Sequence, residues 1–125
     1  MTIGTITLYV ENMGIMVKFY NEVMEMGIEW DSGGFCAVKM ENGIFFILCE
    51  REKPLTAEFP NGLKDTHQLT FTIPDACVEK VNEQYEKLIK AGAKHVNGPV
   101  SQPYGMHEAV VADPEGNFIE FCCEI

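Results

Sequence analysis

The sequence holds no apolar run long enough to span a bilayer, and its first residues, MTIGTITLYVEN, carry no basic region and no small-residue cleavage site. The reading is therefore of a soluble, cytoplasmic chain. Positive charge is scarce as well: 9 Lys and Arg stand against 19 Asp and Glu, a formal net charge of −10, and the bases are scattered singly. No surface that tracks phosphates follows from this, which argues against nucleic acid and against an anionic membrane as partners. The five cysteines, Cys36, Cys49, Cys77, Cys122 and Cys123, include no C-x-x-C pair. Odd in number and set mostly in apolar runs, they read as reduced thiols. A glycine-rich phosphate loop, a G-x-S-x-G turn and a helical H-x-x-x-H spacing are absent too, and His67, His95 and His107 stand apart from one another.

What is present is a repeated order of elements. The 125 residues, 46% hydrophobic and 22% charged, suit one domain with a real core. TITLYV alternates Ile6, Leu8 and Val10 against Thr5, Thr7 and Tyr9, the pattern of a half-buried strand. Asn12 can cap a helix over MGIMVKFYNEVMEMG with Ile15, Phe19 and Val23 as its apolar stripe and Gly27 as its stop. IEWD, FCAVKM and GIFFILCER follow as strands. A surface connection over 52–65 precedes a second passage of the same kind: HQLTFTI, then a helix opened by Pro74-Asp75 with Val78, Val81, Tyr85, Leu88 and Ile89 inward and Gly92 at its end. After KHV, a link NGPVSQPYG leads to MHEAVVAD and NFIEFCCE. Two βαβββ modules, about 3–51 and about 66–125, thus make a single α+β domain with an internal pseudo-twofold. Helices are expected on the outer faces of two curled sheets, and the polar faces line a cup.

DPEG has proline and glycine where a tight hairpin wants them. Counted outward from that turn, Ala112 faces Phe118, Val110 faces Glu120 and Glu108 faces Cys122, so Glu108 and Glu120 lie diagonally on one face. Glu120 sits mid-strand between Ile119 and Phe121, where a carboxylate must be solvated, paired, protonated or bound. Two such acids close together compete for ionisation, an arrangement suited to proton transfer or metal capture. A hydrogen bond across the cup or exposure at the sheet's end would equally satisfy them.

The paired halves, with the segments LYVENMGIMVKFYNEVMEMGIEW and YGMHEAVVADPEGNFIEF, resemble the vicinal oxygen chelate superfamily. That group holds glyoxalase I, extradiol dioxygenases, fosfomycin-resistance enzymes and bleomycin-resistance binding proteins, and the resemblance spans essentially the whole chain. It implies the glyoxalase/bleomycin-resistance/dioxygenase fold. In the metal-dependent members four cup-face side chains, two from each half, hold a divalent ion. By position these are Thr5, Ile47, Gln68 and Glu120 here. Isoleucine cannot donate and a neutral threonine hydroxyl is a poor donor, which leaves Gln68 and Glu120 alone.

The expectation is accordingly a metal-independent member without a cofactor, binding a small, partly apolar molecule, cationic or aromatic, as a resistance or sequestering protein does. Glu120 would be its polar anchor or proton-transfer group. Thr7, Tyr9, Phe45, Ile47, Gln68, Thr70, Tyr104, Glu108 and Phe118 would line the cup. The alternative is a lyase or dioxygenase of the glyoxalase I type holding Ni, Zn, Fe or Mn through Gln68 and Glu120. A third reading has Phe45, Ile47 and Phe118 filling the cup themselves. The resemblance and the exposed sheet edges also imply a homodimer.

Overall fold

Alternation along the opening strand sets the layout of the molecule. In the computed structural model, which describes residues 1–51, 67–112 and 116–125, strand β1 (Thr2–Val10) turns Leu8 and Val10 toward helix α1 (Met13–Glu22). Thr5, Thr7 and Tyr9 face the other way, into a cavity. Strands β2 (Phe35–Lys39) and β3 (Phe45–Glu50) complete the first half; β4 (His67–Thr72), helix α2 (Val78–Lys90), β5 (Lys94–Ser101), β6 (Met106–Ala112) and β7 (Phe118–Glu124) make the second. The expected connection over 52–65 and the tip of the last hairpin at 113–115 lie outside the described residues.

Each opening strand pairs in parallel with the last strand of its own half, β1 with β3 and β4 with β7. The two opening strands pair antiparallel at the centre, where Thr7 meets Gln68. The halves are thereby joined into one seven-stranded sheet in the order β2-β3-β1-β4-β7-β6-β5. Both halves contribute strands to the cup. Both helices cover the face opposite it: Leu48, Val17 and Ile28 bury one core, and Val81, Ala109 and Phe121 bury the other. Among the described residues no helix is long and apolar enough to cross a membrane.

Three local expectations are corrected. Ile28–Asp31 forms no strand. The Asn21 side chain takes both backbone groups of Ile28, donating Nδ2–H to its carbonyl at 2.9 Å and accepting its N–H on Oδ1 at 2.6 Å, so a side chain replaces a strand partner. In α1 the inward residues are Met13 and Val17 with Met16 and Tyr20 beside them, whereas Ile15, Phe19 and Val23 face solvent. This helix also ends at Glu22, before Gly27. Its start is as expected, with Asn12 Oδ1 accepting the Ile15 N–H at 2.9 Å. Finally, the segment read as a link after His95 is strand: β5 runs through Gly98-Pro99 with register shifts against β6. Gly98 is required there, at φ 75, because a Cβ would overlap the Glu108 carbonyl oxygen.

Candidate functional site

The polar faces of β1, β4, β7 and β6, closed by β3 and the turn after β5, enclose a cavity of about 820 Å³. Its volume is that of a small-molecule site, so the cup is not filled by its own side chains. The hairpin register places Val110 opposite Glu120 and Glu108 opposite Cys122, as counted from the sequence. Gly116, just before β7, has a positive φ of 90.

At the floor the side chains are wired together. The Tyr9 hydroxyl donates to Gln68 Oε1 at 3.0 Å, and the Thr70 hydroxyl donates to Glu120 Oε1 at 2.8 Å. Gln68 also lies close enough to the Glu120 carboxyl to favour its charged form. Across the cup Tyr104 donates to Glu108 Oε1 at 2.5 Å. Burial pushes the Glu120 carboxyl up to about 7; the Thr70 hydrogen bond opposes this, the neighbouring Glu108 adds to it, and Gln68 opposes it. Burial, and after it Glu120, pushes the Tyr9 hydroxyl far above its ordinary value. Burial and then Glu108 do the same for Tyr104. Both phenols therefore remain donors at neutral pH. The Cys122 thiol is pushed up to about 12 by burial and then by the two acids, which makes it a poor nucleophile.

Of the residues proposed from the sequence, Thr7, Tyr9, Ile47, Gln68, Thr70, Tyr104, Glu108 and Glu120 all line this cavity. Phe45 and Phe118 do not. Phe118 packs against Tyr9, Val96 and Val110 and seals one end of the cup as core. Phe45 stands 42% exposed at the start of β3, its ring 5.8 Å from the Lys39 Nζ. Sequence reasoning missed Cys49 and Cys122, which simple alternation from Ile47 and Glu120 would have found, and Asn97 and Gln102, hidden in the stretch read as a link. The histidines lie elsewhere: His107 is buried on the helix side between Ser101 and Asn82, His95 meets the Tyr85 hydroxyl, and His67 is exposed.

As a donor set for a divalent ion the four positions do not fit. Ile47 has no donor atom, Thr5 offers a neutral hydroxyl, and the Gln68 carbonyl oxygen is already engaged by Tyr9. Among the described residues no three His, Cys, Asp or Glu side chains come together closely enough to hold a metal ion.

A family model, the Glyoxalase/Bleomycin resistance protein/Dioxygenase superfamily, matches residues 2–121. No curated protein is significantly similar in sequence. Among solved structures, a protein described as an NAD-dependent benzaldehyde dehydrogenase from Legionella pneumophila superposes with a TM-score of 0.69 at 18% identity, over 97% of this chain and 98% of that one. A glyoxalase/bleomycin resistance protein/dioxygenase superfamily member from Vibrio splendidus 12B01 gives 0.62 at 15% identity, over 97% and 98%. Methylmalonyl-CoA epimerase from Streptomyces coelicolor, in complex with 2-nitronate-propionyl-CoA, gives 0.58 at 16% identity, over 96% and 94%. At such identities these likenesses show the fold alone.

Proposed function

The chain belongs to the glyoxalase/bleomycin resistance protein/dioxygenase superfamily, and from that premise we propose that its cup binds a small, partly apolar organic molecule without a divalent metal, as a resistance or sequestering protein does. The observation that carries this is the pair of hydrogen bonds on the cavity floor, Tyr9 to Gln68 and Thr70 to Glu120. It satisfies the buried polar groups internally and leaves the Gln68 oxygen engaged, where a metal-binding member needs it free. Glu50, Glu108 and Glu120 line the cavity, and among the described residues no Lys, Arg or His does, so a cationic ligand suits it. Ile47, Val110 and Met106 supply apolar surface for the rest of such a molecule.

Glu120 is the anchor, accepting from the ligand's ammonium. With a proton affinity near neutrality it is also placed to give or take a proton. The same reading has the chain associate as a homodimer, since β2 and β5 leave open edges in the described sheet and α1 carries apolar side chains into solvent.

Two measurements on one preparation test the binding claim. Aromatic amines at millimolar concentration should raise the melting temperature of the wild type and not of Glu120→Gln, because a ligand of the native state must stabilise it. Ni, Zn, Fe or Mn added to chelator-treated protein should leave it unmoved. Stoichiometric metal that is lost in Glu120→Gln would overturn the proposal.

A further inference from the structure

A second cavity of about 360 Å³ lies beside the cup, lined by Glu29, Trp30, Asp31, Phe35 and Cys36. Phe35 lines both spaces. It belongs to edge strand β2, opposite Cys49 of the cup, and is 57% exposed. With Ile28–Asp31 forming no strand, that stretch leaves a groove against β2 where further sheet was expected. The groove wall is fixed. Asp31 Oδ1 accepts the Gly33 N–H at 2.8 Å, and Trp30 Nε1–H donates to the Gly33 carbonyl at 2.7 Å. The indole has no donor left and offers only ring surface.

We propose that the molecule held in the cup is elongated, and that its far end, a planar aromatic group, crosses the Phe35 edge and packs against Trp30 in this groove. The inference rests on the small-molecule reading of the cup and adds the ligand's shape and second contact. Phe35 borders both spaces on edge strand β2, so a ligand long enough to pass over that edge reaches both. Trp30, packed on its other side against the α1 core, and Phe35 supply aromatic surface for it, and Glu29 and Asp31 at the groove disfavour an anionic substituent on that ring.

Dansylcadaverine, an arylsulfonamide joined to an alkyl amine, is a suitable two-part probe, with cadaverine and dansylamide as its halves. By calorimetry it should bind at least about tenfold more tightly than either half. Because Trp30 is the chain's sole tryptophan, its indole N–H gives one resonance, which the dansyl ring should move and cadaverine should not. Phe35→Ser should lower affinity for the two-part probe by a larger factor than affinity for cadaverine, measured on the same variant, without changing the melting temperature. If both amines bind equally, lose affinity in Glu120→Gln and leave the indole resonance unmoved, the groove proposal falls and the cup reading stands. If none of the three binds at millimolar concentration, both fall.

Discussion

Glu120 illustrates how a single side chain ties the site to stability. Its folded-state pKa of about 7 lies above the ordinary 4.5, so between those values the native state holds a proton that the unfolded chain has released. Stability linked to this group is complete below about pH 4.5 and is lost as pH rises toward 7. The loss is about 2 kcal/mol, since Glu120 keeps some contact with solvent. Glu120→Gln cannot ionise and still accepts from Thr70, so urea unfolding of this variant should show no fall in stability from pH 5 to pH 8, and it should exceed the wild type at pH 8. A wild-type profile that rises over the same range would contradict the assignment. The acid was legible in the sequence because the alternation of Phe118, Glu120 and Cys122 fixes a face, and the turn fixes the register against Glu108. Alternation says nothing about position along the cup, however. Phe118 and Phe45 share the parity of lining residues, yet one is core at the closed end and the other projects from the rim. The bond from Tyr104 to Glu108 was equally hidden, since it depends on how the 102–105 turn folds back over β6.

At the level of elements, periodicity gave the existence of both helices but the face of only one. In α2 the inward residues Val78, Val81, Tyr85 and Leu88 alternate with Glu79, Lys80, Glu83 and Lys87, and the charges leave one choice. Helix α1 has apolar residues on nearly every side, including Met13, Ile15, Met16, Val17, Phe19 and Tyr20, so spacing alone cannot select the buried stripe. The sheet selects it: Val17 is 7% exposed against 65% for Ile15. Truncation separates the two readings. Val17→Ala should destabilise by roughly 2 kcal/mol through the cavity it leaves, while Ile15→Ala should stay within about 0.5 kcal/mol. Comparable losses at both positions by urea unfolding of the monomeric protein, at a concentration too low for pairing, would mean that the helix is rotated from the orientation described. The missing strand at Ile28–Asp31 has a similar origin. A short apolar run bounded by turn residues reads as a strand, but no sequence rule announces that Asn21, seven residues away, will occupy its backbone.

For the whole molecule, the repeated order of elements carried most of what could be read. The two threonine-bearing strands meet at the pseudo-twofold, and a cup to which both halves contribute strands follows from their antiparallel pairing. The proposed second chain has apolar surface to cover: Ile15, Phe19, Val23 and Met24 are the exposed group available on one side of α1 and its end. A net charge of −10 per chain opposes such pairing through mutual repulsion. Salt screens that repulsion and leaves the apolar contact intact, since the Debye length shrinks to about 10 Å at 0.1 M. The proposed homodimer should accordingly tighten as ionic strength rises, the reverse of an association held by ion pairs. Sedimentation at micromolar concentration in low and moderate salt reads this directly, and Phe19→Glu should shift the protein to monomer while its melting temperature at low concentration falls only slightly, because in the single chain Phe19 is 47% exposed and packs edge-on against Tyr20. Monomer at every salt concentration would remove the dimer, and dimer that weakens with salt would place its contacts somewhere other than this apolar face.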